Sequence, residues 1–161
     1  MSLAEAVELK TWDDAALFHT LRVWNHRVAP LGTTPVEEIR LLVDLMIDRY
    51  FNGNKKLEDE SYWLDLGALA LKAYPFASAL EVSVILAKKQ RDYGPNNIAR
   101  FAEKGLILRL HDKIARLENL LEKDHEAANE SIEDTYLDII GYSVIGMMWM
   151  NEDFFKPLRE E

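Results

Sequence analysis

The chain has 161 residues, of which 48% are hydrophobic and 29% charged, and its formal net charge is −9. This length and balance predict one globular domain with a sizeable core, and the acidic charge argues against a nucleic-acid-binding surface, which needs clustered Lys and Arg. The chain contains no cysteine, which excludes disulfides, zinc–thiolate sites and a cysteine nucleophile.

The chain shows neither of the hydrophobic signals that direct a protein to a membrane. Its N-terminus carries acids and lacks the continuous apolar core of a signal peptide. The longest uncharged apolar run is too short to span a bilayer. We therefore expect a cytoplasmic protein without a membrane partner.

Two helix-start signals mark the N-terminal part of the chain. Thr11 precedes two acids, and Thr34-Pro35-Val36-Glu37 places proline in the first turn, a pattern typical of a helix N-terminus. These signals predict helices that run to about Val28 and to about Phe51. The predicted inward face of the first helix consists of Phe18, Leu21, Trp24 and Val28.

The middle of the chain predicts further helices separated by proline and glycine. One runs from Tyr62 to Tyr74, and the next from about Ala77 to Asp92, where Gly94-Pro95 forms a turn. The predicted core residues of the latter helix are Leu80, Val84, Ile85 and Ala87. After the turn, Asn96 or Asn97 is expected to cap a short helix, and Gly105 to separate it from a longer one. Because no run alternates as a strand does, we predict an all-α fold of about six helices.

The last helix carries a stripe of acids. Glu130, Asp134 and Asp138 are spaced four residues apart, which stacks them on one helical face. Asp138 adjoins the charge-free segment Ile139–Met150, which predicts a buried helix, so its carboxylate needs a partner or a metal ion. Such acids can converge on Mg²⁺, and cations on a facing helix can hold phosphates. The candidate cations are Arg109, Lys113 and Arg116.

A purely structural interpretation explains much of the same pattern. Asn129 or Ser131 can cap the last helix, which makes Asp134 an ordinary first-turn acid. Arg109 and Arg116 can form intrahelical pairs with Asp112, since they lie three and four residues from it. This interpretation accounts least well for Asp138, which lies too far into the helix to act as a cap.

Three segments together resemble a known family. The segments KKQRDYG, RLHDKIARLENL and NESIEDTYLDIIGY are similar to the nucleotide-modification-associated domain of small bacterial and phage proteins. That family resembles the MazG-like all-α nucleoside triphosphate pyrophosphohydrolases. The resemblance covers about Ala79–Met150. It divides the single domain, residues 1–161, into N-terminal helices of unknown role (1–75) and a MazG-like nucleotide-processing core (76–151).

The resemblance implies a helical bundle that binds Mg²⁺, with Mn²⁺ as an alternative, and hydrolyses a (d)NTP to (d)NMP and pyrophosphate. Its signature places ExxE on one helix and ExxD on the next, whereas here Asp134 and Asp138 are four apart, and Ala115 stands where a second acid is expected after Asp112. Glu81, on the preceding helix, is an alternative ligand.

The resemblance assigns roles to individual residues. The implied metal ligands are Asp112, Glu130, Asp134 and Asp138, of which Asp112, Asp134 and Asp138 are the expected catalytic acids. The residues expected to bind phosphate are Lys88, Lys89, Arg109, Lys113 and Arg116. Tyr93 and the loop at Asn97 are expected to contact base or sugar. A non-catalytic nucleotide-sequestering protein and a helical interaction module remain alternatives.

Self-association is also expected. The chain contains four Trp, six Phe and six Tyr in addition to the apolar Ile139–Met150 segment. This is more apolar surface than one bundle readily covers, and MazG-like proteins usually form dimers or tetramers. The alternative is that the N-terminal helices cover the segment within one chain.

Overall fold

A computed structural model describes residues 9–28, 34–53, 56–122 and 126–160, apart from the side chains of residues 126–130. These residues form seven α-helices and no strand, so the all-α prediction is confirmed. The helices are α1 (Trp12–Asn25), α2 (Pro35–Asn52), α3 (Ser61–Ala73), α4 (Ala79–Tyr93), α5 (Asn96–Ala99), α6 (Ala102–Leu121) and α7 (Glu126–Met150). None of the helices in the described ranges is long and apolar enough to cross a membrane.

Both N-terminal helix starts have the capping geometry that the sequence predicts. Thr11 Oγ1 accepts a hydrogen bond from the backbone N–H of Asp14 at 3.1 Å. At α2, Thr34 and Glu37 form a reciprocal capping box, with Pro35 in the first turn. Each cap satisfies backbone donors that the helix itself leaves unpaired.

Three helix boundaries in the C-terminal half differ from the prediction. The α5 helix begins at Asn96 and follows Pro95, so neither asparagine is its cap. Gly105 lies inside α6 and does not interrupt it. Likewise α7 begins at Glu126, which places Ser131 within the helix. Glycine weakens a helix by only about 1 kcal/mol, and the burial of the neighbouring α6 residues Leu106 and Ile107 overrides that preference.

The apolar half of α7 lies at the centre of the core. Its residues Ile139, Ile140, Val144, Met147 and Met148 are buried, and the helix packs chiefly on α3 and α6. Gly146 permits this approach, because a Cβ atom there would lie 2.2 Å from ring atom Cδ2 of Trp63. Helices α1, α3 and α6 thus pack around the apolar segment within one chain.

Two predicted inward faces are wrong in part. Leu21 of α1 is 44% exposed, and the buried face of that helix is formed instead by Ala15, Ala16, His19, Thr20 and Val23. On α4 the predicted core residues Leu80, Val84 and Ile85 are exposed, and only Ala87 of that set is buried. The two helices pack against each other, and the face that α4 buries is formed by Ala79, Val82, Ser83, Leu86 and Ala87. This face is set by the packing of α4 on its neighbours, which the spacing within the helix does not fix.

The C-terminal tail, residues 151–160, returns to α1. The backbone N–H of Trp12 donates to the carbonyl of Pro157 at 2.8 Å, and that of Arg159 donates to Asp13 at 2.7 Å. Beneath the tail, His19 Nε2 lies 2.7 Å from Asp153 Oδ2, and both residues are buried. Lys156 pairs with the other oxygen of Asp153, and the three residues are called the tail cluster below.

Candidate functional site

An open cleft of about 720 Å³ lies between α4, α6 and α7. Its floor is apolar and its walls carry charged, amide and phenol groups. The lining residues with polar side chains are Lys89, Gln90, Tyr93, Asn97, Arg109, Lys113, Asp134, Asp138 and Tyr142. The cleft exists because α4 packs mainly on α1 and makes little contact with α7.

The turn between α4 and α5 forms one end of the cleft. Gly94 ends α4 with a φ of 73° and donates its N–H to the carbonyl of Gln90 at 2.9 Å. This positive φ favours glycine, which has no Cβ to clash in that conformation. The turn brings Asn97 to the cleft, where Arg109 Nη2 donates to its backbone carbonyl at 3.1 Å and lies 3.4 Å from its Oδ1. Arg109 thereby links α5 to α6.

The charged centre of the cleft joins three helices. Asp138 of α7 pairs through Oδ2 with Lys113 of α6 at 2.8 Å, and through Oδ1 with Lys89 of α4 at 3.6 Å. These three residues are called the cleft cluster below. Asp138 therefore has basic partners, as its position beside an apolar segment requires, and both partners are lysines.

Two tyrosines flank the cleft cluster. Tyr93 is 68% exposed at the rim. Tyr142 lies deeper, one turn after Asp138, and burial raises the pKa of its phenol while Lys113 and Arg109 partly oppose that shift. The Tyr142 hydroxyl is therefore protonated near neutral pH, and it can donate a hydrogen bond to a ligand.

A smaller groove of about 420 Å³ adjoins the cleft and shares Asn97, Ile98 and Arg109 with it. Phe101, Lys104 and Leu108 also line this groove, and Asp112 lies here rather than in the main cleft. Asp134 and Asp138, the other two acids predicted to be catalytic, line the main cleft.

Seven of the residues predicted to form a site come together in the main cleft. They are Lys89, Tyr93, Asn97, Arg109, Lys113, Asp134 and Asp138. Lys88 and Arg116 are exposed and do not line the cleft. The side chain of Glu130 lies outside the described residues, and Glu81 is exposed on α4 without lining the cleft.

Gln90 and Tyr142 line the cleft but were not predicted from the sequence, and neither was the apolar floor to which Ile85 and Leu86 contribute. Tyr142 had a usable signal, because it continues the four-residue spacing of Asp134 and Asp138 along one face of α7. That signal was masked by the charge-free run around it, which predicts burial on every side.

No group of three or more His, Asp or Glu side chains among the described residues lies close enough to hold a metal ion. Asp134 and Asp138 both line the cleft, but the two oxygens of Asp138 already face lysine ammonium groups. The binding of Mg²⁺ or Mn²⁺ therefore stays a prediction.

Residues 89–150 match the model of a family described as nucleotide modification associated domain 1. This range contains every polar residue of the cleft, from Lys89 to Tyr142. It covers less than half of the chain and leaves α1, α2 and α3 outside. Comparisons with curated proteins and with solved structures found no match. The relation to MazG-like enzymes and the bacterial or phage origin stay predictions, as do self-association and the cytoplasmic location.

Proposed function

We propose that the cleft between α4, α6 and α7 binds a nucleoside phosphate. The observation that carries this proposal is the convergence of Lys89 and Lys113, from two different helices, on one point of the cleft. Lysine ammonium groups are common phosphate ligands, and Arg109 lies one helical turn before Lys113. The match to a nucleotide-associated family over the same residues supports the choice of a nucleotide over other anions.

The remaining cleft residues suit the other parts of a nucleotide. Tyr93 offers an exposed aromatic face on which a base can stack, and the amides of Gln90 and Asn97 offer donors and acceptors for its edge or for the sugar. The apolar floor around Leu86 and Ile145 provides the surface that small-molecule sites usually bury.

Calorimetric titration with nucleoside mono-, di- and triphosphates, nucleosides and inorganic triphosphate tests this proposal. We expect nucleotides to bind more tightly than either the nucleoside or the inorganic anion alone, because both halves of the site contribute. Lys113→Met should weaken nucleotide binding about tenfold or more, since it removes a direct phosphate contact.

Lys72→Met provides the matched control for this titration. Lys72 is an exposed lysine on α3 that does not line the cleft, so its replacement should leave the affinity unchanged. Equal affinity for a nucleotide and for inorganic triphosphate would contradict the proposed function.

Hydrolysis of a (d)NTP to (d)NMP and pyrophosphate is the second candidate function. Asp134 and Asp138 favour it, because both line the cleft and lie one turn apart on α7. Mg²⁺ or Mn²⁺ held by these acids, with Asp112 and Glu130 as the further predicted ligands, would neutralise phosphate charge and activate water. The chain's own contribution would be to orient the phosphates through Lys89 and Lys113 and to hold the base at Tyr93.

Pyrophosphate release from a panel of nucleoside triphosphates, measured with Mg²⁺ and with EDTA, tests this second candidate. We expect release only with the metal ion and only while Asp138 is present. Nucleotide binding without any release in either condition would identify a non-catalytic nucleotide-binding protein, for which the binding proposal alone holds.

A further inference from the structure

We infer that Asp138 is a built-in competitor for the phosphate-binding lysines, and that a ligand's phosphate must displace it from Lys89 and Lys113 to bind. This inference deepens the proposed function and rests on it for the identity of the ligand. It follows from three observations: the way both carboxylate oxygens are used, the exposure of the cluster, and the charges in the cleft.

The carboxylate of Asp138 occupies the place that a phosphate would take. Its Oδ2 lies 2.8 Å from the Lys113 ammonium and its Oδ1 lies 3.6 Å from that of Lys89, so one anionic group bridges two cations on facing helices. A phosphate group has the same charge sign and a similar spread of oxygens. The two anions therefore compete for the same donors.

The cleft cluster is exposed enough to exchange partners. The side chains of Lys89, Lys113 and Asp138 are 53%, 30% and 29% exposed, respectively, and all three line the open cleft. Ion pairs at this level of exposure stabilise a fold only weakly, because water screens the charges. Their separation therefore leaves the helical packing intact.

The charges that line the cleft explain why this competition weakens the binding of a phosphate. Three cations (Lys89, Arg109 and Lys113) and two carboxylates (Asp134 and Asp138) line the cleft in a chain of net charge −9. While Asp138 bridges the lysines, an incoming phosphate meets a nearly neutralised site. Removal of this one carboxylate charge leaves both ammonium groups available to the ligand.

Titration of the full chain with inorganic triphosphate in EDTA tests the inference without a base, a sugar or a divalent cation. We expect Asp138→Asn to bind inorganic triphosphate about tenfold more tightly than the parent, because Coulomb energies between charges a few ångströms apart at a protein surface are of this size or larger. Unchanged or weaker binding by Asp138→Asn would overturn the inference, since Asp138 would then be inert or would position the lysines.

Glu133→Gln is the matched control for a general change in charge. Glu133 is an exposed acid on the same helix, but it does not line the cleft. Its replacement should change the affinity less than threefold, because an exposed charge outside the cleft acts through water, which weakens its Coulomb energy. Equal tightening by Glu133→Gln and Asp138→Asn would show a general charge effect and would also overturn the inference.

A variant that lacks both lysines tests whether Asp138 weakens triphosphate binding by pairing with them. In a chain that carries Lys89→Met and Lys113→Met, Asp138→Asn should tighten binding less than it does in the parent, because direct competition requires those partners. Melting temperatures of all variants show whether each chain is folded. Persistence of the full tightening without the lysines would count against the inference.

The titration with inorganic triphosphate can succeed or fail independently of the proposed nucleotide binding. If nucleotides bind no more tightly than inorganic triphosphate, the nucleotide proposal fails, but tightening by Asp138→Asn still supports the competition. If nucleotides bind tightly and Asp138→Asn leaves the affinity for inorganic triphosphate unchanged, the nucleotide proposal stands and the competition fails.

Discussion

The tail cluster and the cleft cluster have the same plan but different surroundings. In each, one aspartate places its two oxygens against two different basic groups: His19 and Lys156 for Asp153, and Lys113 and Lys89 for Asp138. The Asp153 side chain is 6% exposed and that of Asp138 is 29% exposed. Burial makes the first pairing part of the fold, and the open cleft makes the second exchangeable.

The hydrogen-bond partners of His19 explain why its burial is tolerated. Its Nδ1 lies 3.2 Å from the Arg22 guanidinium, which can only donate, so Nδ1 accepts and Nε2–H donates to Asp153. The ring is therefore neutral with both nitrogens satisfied. Arg22 in turn pairs with Glu60, which also accepts from Asn151, so the tail is joined to α1 and to the start of α3.

The largest expected effect is the loss of Asp153. Asp153→Ala leaves the buried His19 N–H without its acceptor and releases Lys156, and we expect a loss of about 3 kcal/mol in the free energy of unfolding. Chemical denaturation measures this change. Asp65→Ala is the matched control, because Asp65 pairs with His26 Nε2 at the same distance of 2.7 Å but in a half-exposed setting. The control should lose less than about 1 kcal/mol, and equal losses would contradict the role of burial.

The second largest expected effect is a change in the free energy of unfolding with pH. Burial lowers the pKa of His19 from its usual 6.5, and Arg22 adds to the lowering, whereas Asp153 and Glu60 oppose it. The unfolded chain then binds the proton more readily than the folded one, so stability is present above pH 6.5 and falls as the pH drops through 6.5 toward the lowered pKa. The loss cannot be steeper than about 1.4 kcal/mol per pH unit, the limit for one proton.

Denaturation curves recorded at pH values from 7.5 to 5, in steps of about half a pH unit, measure the contribution of His19 to stability. His19→Gln should flatten the profile, because glutamine keeps polar atoms in place but does not titrate. A parent profile that rises as the pH falls would show that the sign is wrong.

The smallest expected effect concerns the cleft cluster. Asp138→Asn should change the free energy of unfolding by less than about 1 kcal/mol, because its two pairs are partly exposed and the amide still fits the same space. The measurement is a denaturation curve at pH 7 beside that of Asp153→Asn. A loss from Asp138→Asn as large as that from Asp153→Asn would make the cleft cluster a structural element and remove the contrast between the two.

Part of the cleft could be recognised from the sequence, because several of its charged residues lie with regular spacing on two helices. Arg109 and Lys113 are one turn apart on α6, and Asp134 and Asp138 are one turn apart on α7. Spacing places residues on one face of their own helix, but it does not say which other helix that face meets. Lys88 and Lys89 are adjacent in sequence, and only packing shows that Lys89 is the one that reaches Asp138.

The tail cluster could not be predicted, because its members are far apart in the chain. His19 and Asp153 are separated by 134 positions, and neither belongs to a motif. An isolated histidine on a helix has no local signature that distinguishes a buried hydrogen-bonded ring from a surface one. The contact arises only when the tail folds back over α1.

The sequence by itself determined the helical class, the capped starts at Thr11 and Thr34, and the burial of the apolar half of α7. These features depend on hydrogen bonds and hydrophobic patterning within a few turns, which local residues supply. The tertiary structure alone decided that α4 packs on α1 and leaves Leu80 and Val84 exposed. It also decided that Asp138 meets Lys89 and Lys113, because partners on separate helices are selected by how those helices pack and not by the spacing within either one.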